Sequence, residues 1–245
     1  MSPETLTVVY RDEHLIAIDK PSALLVHRSG IDRHETRFAM QILRDQIGQR
    51  VYPLHRLDKP TSGVLLFALD ADTARRAGPL FEDHCIRKRY LAVVRGWTPP
   101  AARIDYPLRE IPDAITDAKA REDKPAQAAI TDYRTLAQIE LPYPVGPYPG
   151  ARYSLLKLMP LSGRKHQLRR HMKHVFHPIV GDTTHGDGAH NTLFRQQFDC
   201  HRLLLHCTSM TLPHPLHGAT VRIEAPLPID FSTTLARIGL GSVRL

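Results

Sequence analysis

The 245-residue chain contains three cysteines, Cys85, Cys200 and Cys207, and no CxxC pair. Three thiols at those spacings cannot form a disulfide framework and suggest no zinc site, so they are expected to be reduced packing residues. No apolar run approaches the roughly 18 residues that a membrane-spanning helix requires. The opening Met-Ser-Pro-Glu-Thr lacks the basic and apolar regions of a secretory signal. A cytoplasmic protein with no membrane partner is therefore expected. Internal repeats, low-complexity tracts and a linker at which to cut the chain are also missing, so residues 1–245 are read as one domain. Acidic residues are outnumbered, 25 Asp and Glu against 33 Lys and Arg, which leaves a net charge of +8 and 15 histidines that can add to it in a negative field. A polyanionic partner fits that balance, although a positive excess of this size also serves solubility alone.

Strand-like segments occur at Leu6 to Tyr10, Leu15 to Asp19, Val64 to Leu69, Tyr90 to Val94, Ala129 to Ile139, Tyr153 to Met159, Leu203 to Leu212 and Thr220 to Ile223. Helical spacing is found over Thr36 to Arg50, Ala71 to His84 and Arg164 to Val175. Gly78-Pro79 should kink or split the second of these. Sheet thus dominates the core and short helices flank it. Arg109 to Gln127 is polar, and Leu141 to Gly150 is rich in Pro and Gly. Both read as surface excursions.

The most informative stretch is His55-Arg56-Leu57-Asp58-Lys59-Pro60-Thr61-Ser62-Gly63. It places one carboxylate among basic residues on a turn that feeds the apolar run from Val64 to Leu69, and a loop held by a rigid sheet is where catalytic groups tend to sit. An isolated Asp in such a loop would be an Asx turn or a surface ion pair. The nine residues, however, match without a gap the HRLD-x-x-TSG signature of the RluA-type pseudouridine synthases, which this chain resembles. That resemblance implies an α+β fold, a mixed and mostly antiparallel sheet flanked by short helices in a single catalytic domain. It also implies that Asp58 is the catalytic residue. Many relatives carry a small RNA-binding domain ahead of the catalytic one; here the first expected strand begins within about ten residues, so no such domain is expected.

Two further runs carry the resemblance. Lys88-Arg89-Tyr90 resembles the family's K-x-Y element, in which the Tyr stacks on the target base and is a candidate for C5 deprotonation, although by composition alone a Tyr at a strand start is more often packing. Ser162-Gly163-Arg164-Lys165-His166-Gln167-Leu168-Arg169-Arg170-His171 resembles TGR-x-HQ[IL]R-x-H, with Ser162 in place of the usual Thr. There Arg169 matches the residue that pairs with the catalytic Asp. A guanidinium beside Asp58 would keep the carboxylate ionised and orient it, since its planar fork can grip both oxygens. Arg56 matches the residue that fills the space of the flipped nucleotide; its plain alternative is a surface salt bridge. His55, Lys88, Arg164, Lys165, His166, Arg170 and Lys173 complete the expected RNA-binding set. Asp19-Lys20-Pro21-Ser22 is similar to the family's KP-x-G element, but Ala23 stands where Gly is common, so a tight turn there must avoid positive φ or accept strain.

His166, His171, His174 and His177 might suggest a metal, but no carboxylate or cysteine completes a set and the segment is crowded with Arg and Lys, so RNA contact and packing are the expected roles. No metal or other cofactor is expected. Val26-His27-Arg28-Ser29, Arg44 to Gln49, Ala120 to Lys124 and Arg164 to His171 resemble the TruC branch of the family, which modifies uridine 65 of certain tRNAs. The implied partner is tRNA, and a monomer is expected. Relatives acting on large-subunit ribosomal RNA share the same three motifs and supply the alternative substrate. A non-catalytic RNA-binding module would be expected to lack Asp58, Tyr90 or Arg169, and DNA binding through the basic helix has no helix-turn-helix pattern behind it.

Overall fold

The structure is a computed structural model that describes residues 4–27, 36–82, 85–110 and 125–243. The chain runs through β1 (Val8–Arg11), β2 (Leu15–Lys20), α1 (Ala39–Ile47), β3 (Tyr52–Pro53), β4 (Ser62–Ala68), α2 (Ala71–Glu82), β5 (Arg87–Arg95) and β6 (Ala101–Asp105). It continues through β7 (Ile130–Leu141), β8 (Ala151–Pro160), α3 (Gln167–His174), α4 (Gly188–Phe198), β9 (Leu205–Pro213), β10 (Thr220–Glu224) and α5 (Ile229–Arg237). The ten strands form one open sheet in the order β1-β2-β4-β9-β5-β8-β7-β6, with β10 on β9 and β3 on β4. Every pairing is antiparallel except β4 with β9, which run parallel through Ser62↔His206 and Gly63↔Cys207.

Side-chain alternation explains the layers. Along β5, Tyr90, Ala92 and Val94 face a core shared with α1 and α3, while Leu91 and Val93 face a second core. The first core takes Leu43 from α1 and Leu168 and Met172 from α3; the second takes Phe194 and Phe198 from α4 and Phe231 and Leu235 from α5. A period of two along the strand thus sends successive residues to opposite helical layers. β4 is apolar from Val64 to Ala68 and buried along its whole length, as a strand covered on both faces must be.

The parallel β4–β9 junction depends on one residue. Gly63 sits at φ 111°, and a Cβ there would lie 2.2 Å from the Cys207 carbonyl oxygen. Only glycine permits that approach, which is the physical reason for the Gly that closes the Thr-Ser-Gly run.

Several elements differ from the sequence expectation. α2 runs unbroken through Gly78 and Pro79, because Pro79 lies in its last turn and removes a single backbone bond, to the exposed Arg75. α3 begins at Gln167 rather than Arg164, since His166 adopts φ 55° and cannot belong to a right-handed helix. Ala23 does take a positive φ, 64°, so the turn after Lys20 accepts strain. β3, β6, α4 and α5 were not expected. β6 buries only Ile104, so its sequence reads as polar loop. α4 begins among glycines, although Asp187 caps it by accepting from the Ala189 and His190 amides at 3.0 and 3.4 Å. Most of the expected excursion from Arg109 to Gln127, with Ala120 to Lys124 inside it, lies outside the described residues, as do Arg28 and Ser29.

Candidate active site

The loop from Leu54 to Thr61 crosses the end of the sheet where β4 starts, and Asp58 stands on it at the wall of a cleft of about 520 Å³. The Thr61 amide donates to the Asp58 carbonyl at 3.0 Å, closing a turn that fixes the backbone below the carboxylate. Lys20, fully buried at the end of β2, anchors this loop. Its ammonium donates to the carbonyls of Pro21 and Leu24, both at 2.8 Å, and of Lys59 at 3.2 Å. Burial pulls the Lys20 pKa down to about 7, against the nearby charge of Asp58, which favours the ammonium. Lys20 and Pro21 stood out in the sequence as a KP-x-G-like element, but the anchoring of the Asp58 loop through Lys59 did not.

Arg169 is 3% exposed and comes from the first turn of α3. Its Nη1 donates to Asp58 Oδ2 at 3.1 Å. The fork itself does not grip Asp58. Nε and Nη2 instead donate to Asp182 Oδ2 and Oδ1 at 2.7 and 2.9 Å, a bidentate pair with a carboxylate wholly removed from solvent. Asp182 also accepts from the amides of Thr184 and His185, both at 2.9 Å. Burial opposes the Arg169 charge, yet Asp182 and then Asp58 hold its pKa above the ordinary value. Asp182 is thus the residue that aims Arg169 at Asp58. A lone Asp after a glycine carries no sequence signal for that role.

His166 stands on the other side of Asp58, its Nε2 4.0 Å from Oδ1 and its Nδ1 2.9 Å from His185 Nε2. Burial lowers the pKa of both rings, that of His185 to about 4, although Asp58 and Asp182 respectively favour their charged forms. With both rings neutral, the contact is one N–H of either ring donated to the bare nitrogen of the other.

Beyond the Asp58 loop, the cleft walls draw on several separate stretches of the chain. β5 supplies Lys88 and Tyr90, β9 supplies Leu205, and the segment before α3 supplies Ser162, Gly163 and Arg164. The Tyr90 hydroxyl is pushed well above its ordinary pKa by burial and by its hydrogen bond to Cys207, so it presents a neutral aromatic ring. Gln167 holds the 160–166 segment in shape: its Oε1 accepts from the Ser162 hydroxyl at 2.8 Å and the Arg164 amide at 3.0 Å, and its Nε2 donates to the Ile130 carbonyl at 3.0 Å. A hydroxyl suffices at residue 162.

The remaining expected RNA contacts divide by surroundings. Arg56 is exposed and lines both this cleft and a second cavity of about 960 Å³ that Asp58 also lines. Lys165 lines the second cavity, and Arg164 and Lys173 are exposed. Arg170 donates to the Arg109 carbonyl at 2.9 Å. His55 lines the cleft, but its Nε2 accepts from the Leu66 amide at 3.1 Å and its ring stacks on Phe81. Burial, aided by Lys88, pulls its pKa to about 3, so it is a neutral brace between loop and β4. Among the described residues no three His, Cys, Asp or Glu side chains group as metal ligands. His171 is buried between Thr131 Oγ1 and the Tyr106 carbonyl, and His174 stacks on Tyr106.

A carboxylate at a cleft wall, oriented by an arginine and facing an aromatic ring and a lysine, is equipped to attack or deprotonate a planar nucleoside held against the ring. The family described as RNA pseudouridylate synthase matches residues 14–174, which include all three motif runs. The chain belongs to the RNA pseudouridylate synthase family. Within it, the chain is 52% identical over 93% of its length to tRNA pseudouridine synthase C of Vibrio parahaemolyticus, covering 92% of that protein. It is 50% identical over 97% of its length to tRNA pseudouridine synthase C of Haemophilus influenzae, which it covers completely. Among solved structures it superposes on human RNA pseudouridylate synthase domain containing 4 with TM-score 0.71 at 26% identity, covering 95% of this chain and 92% of that one. Human RNA pseudouridylate synthase domain containing 1 gives TM-score 0.70 at 28% identity over 93% of this chain and 86% of that one. The likeness to this synthase family extends over the whole sheet and not only over its motifs.

Proposed function

We propose that this synthase isomerises one uridine of tRNA to pseudouridine, with Asp58 as the catalytic carboxylate and uridine 65 as the position modified. The observation that carries the reading is the Asp58–Arg169 pair at 3.1 Å, in a cleft that also holds Tyr90, in a chain half identical to enzymes named for tRNA. Position 65 comes from the TruC resemblance.

In this reading the target nucleotide leaves its stack and enters the cleft with its uracil against Tyr90, which offsets part of the lost stacking, while Arg56 occupies the space it vacates. Asp58 then acts on uracil C6 or at the ribose, on C1′ or the 2′ proton. The N1–C1′ bond breaks, the uracil turns, the C5–C1′ bond forms, and the proton lost from C5 is balanced by one gained at N1. No electrons leave the nucleoside, so the step needs no oxidant or reductant.

The test is tritium release from tRNA transcribed with 5-tritiated uridine, followed by mapping of the modified position. Release equal to one uridine per tRNA, mapped to position 65 and lost in Asp58→Asn, is the expected result. Release from ribosomal RNA alone would move the substrate; release by Asp58→Asn would remove Asp58 from the chemistry.

A further inference from the structure

Helix α3 starts at the active site and ends in a feature that stability does not account for. Its C-terminus is a Schellman motif: the His177 amide donates to the Met172 carbonyl at 2.8 Å and the Phe176 amide to the Lys173 carbonyl at 3.0 Å. The residue in the left-handed conformation of such a cap is usually glycine, because a Cβ is disfavoured there. Here it is Phe176, at φ 64° and 80% exposed. The ring therefore incurs the conformational cost of that position and buries almost nothing in return. The turn is also pinned from outside, since Arg95 Nη2 donates to the Phe176 carbonyl at 3.1 Å while Nη1 pairs with Asp187 at 2.5 Å.

The placement indicates what the ring meets. Within α3, Arg169 and Lys173 are four residues apart and so share the side that begins at Asp58, and the capping turn sets Phe176 just beyond Lys173, its amide on the Lys173 carbonyl. From Arg169 to its last residue, His174, the helix rises about 7.5 Å. Lys173 is exposed on this side and close enough to His185 to affect its titration. An exposed aromatic face beside a lysine, at the end of a face that leads from the reactive carboxylate in a protein of net charge +8, matches the base-plus-phosphate chemistry of single-stranded RNA.

We propose that Phe176 is a stacking platform for an unpaired base of the tRNA outside the target uridine, with Lys173 holding the adjoining phosphate. This rests on the tRNA reading above and names a second point at which the substrate is gripped.

Phe176→Gly tests it without endangering the fold, because glycine suits the left-handed cap and should leave the Tm equal or higher. Loss of one stacked base should weaken tRNA binding and raise KM by about tenfold while kcat at saturating tRNA stays within about twofold. Phe176→Trp should restore both to near wild type. Wild-type tritium release from tRNA together with an unchanged KM in Phe176→Gly would overturn the platform alone. No release from tRNA by wild type would overturn the proposed function and this partner together. A fall in Tm that tracks the loss of activity, or a wild-type dimer that Phe176→Gly dissociates, would assign the ring to the fold or to a second copy of the chain instead.

Discussion

Substituting the two carboxylates that share Arg169 should separate chemistry from structure. In Asp182→Asn the guanidinium keeps its place but loses a bidentate partner at 2.7 and 2.9 Å that is entirely shielded from water. Breaking a buried pair by removing one partner costs about 3–5 kcal/mol. The amide still offers one acceptor oxygen, and Asp58 still accepts from Nη1, so the lower end, about 3 kcal/mol, is expected. In a chain of 245 residues, about 3 kcal/mol lowers Tm by roughly 6–12 °C. Asp58→Asn removes only one hydrogen-bonding charge, on a side chain 19% exposed, and the Asn can accept the same bond. It should cost about 1 kcal/mol, or roughly 2–4 °C. Activity should show the opposite contrast. Asp58→Asn should lose on the order of 10³-fold or more in turnover, whereas Asp182→Asn should keep measurable turnover below its melting temperature, reduced because Arg169 is free to reorient. Thermal unfolding by circular dichroism, with tritium release on the same preparations, reads both. An Asp182→Asn protein that melts within a couple of degrees of wild type, or an Asp58→Asn protein that melts as low as Asp182→Asn, would refute the division of labour between the two carboxylates.

Acid should unfold the protein early. His55, His185 and His206 are held to about 3, 4 and 4 by burial, so as pH falls below the ordinary histidine value of 6.5 the unfolded chain takes up protons that the folded one refuses. Stability present above pH 6.5 is thus lost as pH drops toward 4, with a slope approaching three protons; urea midpoints across that range should show it, and His55→Gln should reduce the slope by about one proton. Gly63→Ala should fail to give folded, soluble protein, since its Cβ would meet the Cys207 carbonyl oxygen at 2.2 Å on a φ of 111°; a variant with a near wild-type melting curve would mean that β4 and β9 can separate there. Lys173→Ala should weaken tRNA binding and reduce the slope of log affinity against log salt by about one; an unchanged slope would take this end of α3 off the phosphate path.

The candidate site residues stood out because they occur in short contiguous runs that resemble a family's motifs, and two of those runs also have a local structural reason. Asp58 is on a turn ahead of an all-apolar strand, and Gln167 closes its own loop, whereas the reason for Gly63 is its contact with the distant Cys207 carbonyl. The strand positions were legible for a similar reason, since period two and continuous apolar runs are properties of neighbours in sequence. What the sequence could not show is what depends on residues distant along the chain. Lys20 reaches the Lys59 carbonyl from β2, and Asp182 takes the arginine fork expected at Asp58 from a loop beyond α3. Burial, not residue type, keeps His55, one of the expected RNA contacts, neutral against the Leu66 amide. By itself the sequence determined which groups are available and the local turns that carry them, because those follow from covalent geometry and side-chain period. Only the tertiary structure decided how the charges are shared, because desolvation and ion pairing depend on what the sheet brings within a few ångströms.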